Sequence, residues 1–340
     1  MKRGNILTLV ILLGLVALLV AVPAVLQDRL TERIATAMAI SLVLVVGLQT
    51  FTGNSGILSF AHIGFMGVGA YASAAITIPV QMRGMALPDL YEIIKTVQVS
   101  GYVGILIGGL VAALIAAVIA YPLMRLSDAP AVITSFALLV VLHTIIAHWS
   151  AVTNGPRTLF GLPSVTSLPL AGGIAAVAVV VALLFKESRI GLLLRASRDD
   201  ERAAGALGAN IPSLRWRAFI LSALFAGIGG ALWGHFVTSF SPKAFYLKET
   251  FVILGMLVIG GTNTVTGAVI GTFAVTILFE SLRALETSLN AADIFADQVV
   301  GLTEIVLAMA MMGVMFLKPG GLFAATEIGP LLLRRFKKKG

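Results

Sequence analysis

The chain has 340 residues, 58% of them hydrophobic and only 12% charged, with a mean hydropathy of +1.00; an ordinary soluble domain carries about a quarter charged residues, so a water-soluble globular fold is excluded. The net charge of +8 does not point to nucleic acid. The basic residues sit in short loops between apolar runs and in the tail Arg334, Arg335, Lys337, Lys338 and Lys339, where they orient helices and meet anionic membrane lipid. Cysteine is absent, which removes disulfides, thiolate metal sites and cysteine nucleophiles.

In chain order, apolar runs near the roughly twenty residues that cross a hydrocarbon core fall at 6–26, 33–51, 57–79, 101–124 and 130–149, then at 167–185, 216–237, 249–262, 265–284 and 298–317. The first follows Met1-Lys2-Arg3 and resembles a secretory leader, but its apolar stretch is too long for one, so it is read as a retained span. The expected fold is all-α, a polytopic integral membrane protein of about ten transmembrane helices in a single domain, 1–340. With both termini in the cytoplasm, that side collects twice the Lys and Arg of the other, the bias that orients multi-pass proteins. Outward stretches 80–100 and 150–166 contain turn signals such as Asn154-Gly155-Pro156. The longest inward stretch, 186–215, carries most of the charge outside the basic tail 318–340.

Glycine interrupts an apolar run once in each half, at 55–71 and at 255–271. Broken helices at matching positions accompany internal repeats in transporters, so an inverted repeat is expected, although identity between the halves is negligible. In the first run Ser55, Gly56, Ser59, His62 and Gly64 are candidates for lining a substrate pathway. A helix break near Gly53–Gly56 would turn free N–H groups and the hydroxyls of Ser55 and Ser59 towards a substrate carboxylate in mid-membrane. His62 either lines that path or is a neutral side chain hydrogen-bonded to a neighbouring helix. Gly260 and Gly261, also candidates for lining the pathway, mark either a helix break or a plain reverse turn. Glu280, near a span end, is explained by pairing with Arg283 or by snorkelling.

No phosphate-cradling Gly-rich loop, zinc-protease motif or serine elbow occurs, and the histidines lie far apart in sequence. No catalytic residue and no cofactor is called for. The inward run Arg198, Asp199, Asp200, Glu201, Arg202, Ala203, Ala204, followed by Gly208, reads as a short helix capped by Asp199 or Asp200 and ended at the glycine. On composition alone it is either a solvated loop or a rigid element on which a separate motor protein pushes.

Residues 196–232, ASRDDERAAGALGANIPSLRWRAFILSALFAGIGGAL, resemble the cytoplasmic loop and following span of the LivM-type permeases of branched-chain amino-acid ABC importers. The runs at 51–71, 154–163, 255–273 and 279–283 extend the resemblance over most of the chain. The chain departs from the family at Ser59-Phe60-Ala61, where a Leu-Gly pair is usual, and at Phe279, where a proline is usual.

The resemblance implies a permease subunit that moves branched-chain amino acids across the bacterial inner membrane by ATP-driven alternating access. In it, Arg198, Asp199, Asp200, Glu201, Ala203, Ala204 and Gly208 form the coupling motif. The implied partners are a second homologous permease subunit, two cytoplasmic ATP-binding subunits and an extracytoplasmic substrate-binding protein. The alternatives are a urea or short-chain amide permease and a passive channel.

Overall fold

A computed structural model describes residues 3–291, 301–318, 320–323 and 326–337. Among them the only extended pairing is an isolated antiparallel bridge between Leu159 and Phe240. The helices are α1 Arg3–Leu26, α2 Arg29–Ser55, α3 His62–Thr77, α4 Val80–Ala86, α5 Glu92–Lys95, α6 Gly101–Leu123, α7 Asp128–His148 and α8 Ser150–Thr153. After them come α9 Leu168–Glu187, α10 Arg189–Asp199, α11 Glu201–Ala206, α12 Ile211–Val237, α13 Leu247–Gly260, α14 Val265–Ala291, α15 Leu302–Leu317 and α16 Ile328–Lys337.

Seven of these helices are long and apolar enough to cross a membrane: α1, α2, α6, α7, α9, α12 and α14. The chain is a multi-pass, all-helical membrane protein. Three other expected spans are represented by shorter helices, α3, α13 and α15, of 16, 14 and 16 residues. The span expected at 57–79 begins helically only at His62, because Gly56 in the left-handed region (φ 77°) ends α2 and residues 57–61 carry the chain round to α3. Residues 298–300 of the last expected span, and Lys338 and Lys339 of the basic tail, lie outside the described residues.

Helix α2 is the axis of the fold. Asp28 caps it, its carboxylate accepting the N–H groups of Leu30 (3.3 Å) and Thr31 (3.0 Å), which satisfies donors a helix start otherwise leaves free. Of its most apolar window 83% is buried, against 22% for α1; α1 therefore sits at the periphery. Lipid is as apolar as leucine, so close packing rather than water exclusion holds such helices together. Helices α2, α3, α6 and α12 supply that packing. Where α3, α6 and α12 cross, Gly69, Gly108 and Gly227 meet backbone to backbone; a Cβ on Gly108 would come 2.5 Å from the Gly69 carbonyl oxygen. Beside the crossing, Phe219 packs edge-on against Phe51 and Phe65, with ring centroids 5.1 and 5.6 Å apart, each pair contributing about 0.5–1.5 kcal/mol beyond area burial.

The stretch 80–100 is organised by one side chain. Arg83 is buried, and its five N–H donors reach the carbonyls of Ile76, Ile78, Ile94, Lys95 and Val97 at 2.7–3.1 Å. The end of α3, α4 and α5 are thereby tied into one body. Nearby, the Leu159–Phe240 bridge (2.8 and 2.9 Å) joins the stretch 150–166 to the turn after α12.

Candidate functional site

The charged segment between α9 and α12 folds as two helices with a bend, not one. Ser188 caps α10, its hydroxyl accepting the N–H of Gly191 at 3.2 Å. Asp200 adopts an extended conformation and caps α11, its carboxylate accepting the N–H of Ala203 at 2.9 Å. Of the two caps the sequence allows, Asp200 is therefore the one in place, while Arg198 and Asp199 complete the preceding helix. Glu201 stands in the first turn of α11, where a negative charge complements the helix dipole. Ala204 is buried, and Gly208 (φ 83°) turns the chain towards α12. Leu207 just before it is 87% exposed.

Two arginines tie this bend to the membrane helices. Arg215, on the first turns of α12, has a side chain only 4% exposed; its Nη2 donates to the Glu201 carboxylate at 2.9 Å. Its Nη1 reaches the Leu126 carbonyl (3.1 Å) and the Ser127 hydroxyl (3.0 Å), and that hydroxyl also donates to Glu201. Glu201 is thus latched to α12 and to the turn that starts α7. Arg198 works on the other flank: its Nη1 donates to the Gly53 carbonyl of α2 at 2.8 Å and to Asn263 Oδ1 at 3.0 Å. Its stem lies over Gly56, where a Cβ would come 2.6 Å from Arg198 Cγ.

A third connection holds the turn between α13 and α14. Lys186, at the end of α9, donates to the Asn263 carbonyl at 3.1 Å and to the Glu327 carboxylate. Glu327 accepts the N–H groups of Val265 (3.0 Å) and Thr266 (2.9 Å), capping α14 from 61 residues away. Burial opposes its ionisation, but the Lys186 charge and these hydrogen bonds together hold the Glu327 carboxyl below the usual carboxylate range.

The structure gathers Ser55, Gly56, Gly260 and Gly261 beneath Arg198, at one end of the helices. The break comes at Gly56: α2 runs unbroken for 27 residues and stops beside the bend. A full-length helix leaves its last carbonyls free, and the Arg198 guanidinium takes one of them. The Ser55 hydroxyl donates to the Phe51 carbonyl (2.8 Å) and accepts from the Ile57 N–H. His62 is buried between Ser59 (2.9 Å) and Ser222, whose hydroxyl lies 2.6 Å from the Gly47 carbonyl. Gly64 packs against Leu142, and Gly260 lies against Gly267 of α14 at the reverse turn that Gly261 (φ 119°) makes.

Sequence reading overlooks Arg215, Ser127, Lys186, Asn263 and Glu327. An arginine at the start of an apolar span, with Arg217 two residues on, is the one available signal, for Arg215. Glu327 and Lys186 are 141 residues apart, and nothing local couples them.

Comparison with known proteins adds an independent line. The family model described as branched-chain amino acid transport system / permease component matches residues 30–317. The chain is 25% identical over 307 residues to the high-affinity branched-chain amino acid transport system permease protein LivM of Escherichia coli K12, covering 80% of this chain and 68% of the relative. It is 22% identical over 290 residues to the LivH permease protein of Salmonella typhimurium, covering 79% and 90%. It is 28% identical over 162 residues to the nucleoside ABC transporter permease protein NupC of Lactococcus lactis, covering 47% of each chain. No solved structure matches the chain.

Proposed function

Because the chain belongs to the family of branched-chain amino acid transport permease components, we propose that it forms half of a pathway through which leucine, isoleucine or valine crosses the membrane by ATP-driven alternating access. It is a permease subunit of an ABC importer, and its relatives LivM and LivH carry the names of two permease proteins of one transport system. The second half of the pathway is a homologous permease subunit. Two cytoplasmic ATPases hydrolyse ATP and dock on 198–208, and an extracytoplasmic binding protein delivers substrate near 80–100 and 150–166.

In this reading α3, α13 and α15 cross alongside the seven longer helices, giving ten spans in one domain with both termini in the cytoplasm. The Gly-interrupted segments at 55–71 and 255–271 are corresponding parts of an inverted repeat. Membrane helices shorter than twenty residues are accommodated by neighbouring protein or by local thinning of the bilayer.

The observation that carries the proposal is the pair of guanidinium connections from the bend. Motion of α11 reaches α12 and the start of α7 through Glu201, Arg215 and Ser127. It reaches α2 and the α13–α14 turn through Arg198. A passive channel has no use for such a relay. The candidate residues Ser55, Gly56, Ser59, His62, Gly64, Gly260 and Gly261 then line the substrate pathway that the relay opens and closes.

The test is uptake of labelled leucine into vesicles carrying the full complex, with Glu201 intact or replaced by Lys. The expected result is ATP-dependent leucine uptake that the substitution abolishes while the complex still assembles. Uptake that survives Glu201→Lys and needs no ATP would sink the importer reading in favour of a channel. Labelled urea and a labelled nucleoside are the competing substrates, the second because of the NupC similarity.

A further inference from the structure

Helices α2 and α14 pack closely near the bend and part towards their other ends. All the buried residues of α14 lie between Val265 and Thr276, and those of α2 begin only at Ala35. Beyond those limits a cleft of about 750 Å³ opens between the N-terminal turns of α2 and the C-terminal turns of α14, a size typical of small-molecule sites. With α2 rising about 1.5 Å per residue, this cleft lies on the order of 30 Å from the bend, towards the opposite end of α2.

Its lining follows from helical spacing. On α2, Arg33 faces the cleft with Ile34 and Ala37; on α14, Glu280 and Arg283 stand three residues apart on the same face. Phe236, from the last turn of α12, closes the apolar side. Of the two explanations the sequence offers for Glu280, pairing with Arg283 or snorkelling, the pair does not form. None of these three charged side chains makes an ion pair or hydrogen bond with any described residue. Two cations and one anion therefore line a single cleft without neutralising one another.

We propose that this cleft is a reception site for a zwitterionic α-amino acid with an aliphatic side chain. Arg33 and Arg283 receive the α-carboxylate, for which the guanidinium fork is shaped. Glu280 receives the α-ammonium, and the wall of Ile34, Ala37 and Phe236 receives the side chain. The hydroxyl of Thr287, one turn beyond Arg283, donates to the Arg283 carbonyl and so presents its lone pairs to an ammonium group. The proposal rests on the amino-acid permease reading and adds a residue-level site to it.

The chain contains no cysteine, so Ala284→Cys on the cleft wall gives a unique thiol. In the full complex in proteoliposomes, the rate at which a charged methanethiosulfonate reagent modifies this thiol reports occupancy, alongside leucine uptake by the unmodified complex. Leucine is expected to slow labelling, while leucinol, lacking the carboxylate, and 4-methylpentanoate, lacking the amine, leave it close to the ligand-free rate. Adding Arg283→Gln is expected to raise the leucine concentration for half-protection about tenfold, the loss of one charge-assisted hydrogen bond, and Arg283→Lys to restore part of it.

Leucine uptake by the unmodified complex without any protection of the thiol would overturn the site and leave the permease reading intact. Protection without ATP-dependent uptake would keep the site and overturn the transport reading. Labelling that follows the anionic-lipid content of the vesicles and ignores leucine would make the cleft a lipid headgroup site and refute the proposal.

Discussion

The two ends of the helical stack treat charge in opposite ways. At the bend, Arg198, Arg215, Lys186, Glu201 and Glu327 are all committed to partners within the chain. At the far end, Arg33, Glu280 and Arg283 line an open cleft and bind no other described residue. Paired charges in a crowded place fix geometry, because separating them leaves a costly unpaired group. Unpaired charges around a cleft leave geometry free and invite a ligand. The first arrangement suits transmission of force and the second suits reception, and one helix, α2, runs between them.

The largest way to break this contrast is Glu327→Ala. It strands Lys186, whose side chain is 10% exposed, and uncaps α14, so a loss of about 3 kcal/mol or more is expected, read as a lower unfolding temperature of the purified protein in detergent. The pH dependence has a definite sign. The Glu327 carboxyl lies below its ordinary value of 4.5 when folded, so its contribution is complete above that value and is lost as pH falls through the depressed folded pKa. The stability gap between wild type and Glu327→Gln should accordingly be constant near neutrality and shrink only below about pH 4.5.

Next in size is Arg215→Ala, which removes charge-assisted bonds from a side chain 4% exposed. About 2 kcal/mol is expected, together with faster amide hydrogen exchange across 201–206. Unchanged exchange there would show that Arg215 does not hold α11.

Arg198→Ala should cost less, about 1 kcal/mol, because that side chain is 25% exposed and water replaces part of what is lost. Its effect should fall on coupled uptake more than on unfolding temperature. Glu280→Gln closes the series: with no partner among the described residues to lose, it should leave stability within about 0.5 kcal/mol of wild type. A larger drop would mean that the cleft is as tightly bonded as the bend.

Much of this fold is legible in the sequence, and the reasons are physical. Apolar runs report membrane helices because an unpaired backbone in lipid is too costly for anything else, and all seven long helices fall on expected runs. The caps at Asp200 and Gly208 are legible too, being local. The helix break at Gly56 is legible as well, because glycine marks where a backbone can turn, whereas the start of α2 is not, since the Asp28 cap begins it earlier than hydropathy suggests. The carbonyl knot around Arg83, the Arg215 latch and the Lys186–Glu327 pair were hidden because each joins segments through contacts that no periodicity encodes. Glu280 and Arg283 misled for the opposite reason, since spacing of three residues allows an ion pair that their rotamers do not make.

The last helix lies against the first: the Gly329 N–H donates to the Thr8 hydroxyl at 3.1 Å, and Gly4 packs on Pro330. During synthesis, then, α1 waits for a neighbour that lies 321 residues further along the chain, since domains assemble from the N-terminus as they emerge. Helix α1 enters the bilayer as a loosely held segment, and its final lock closes only when residues 328–330 arrive. A chain cut just before Ile328 would keep all seven long helices but leave α1 unlatched at this contact, a distinction a quality-control protease could read.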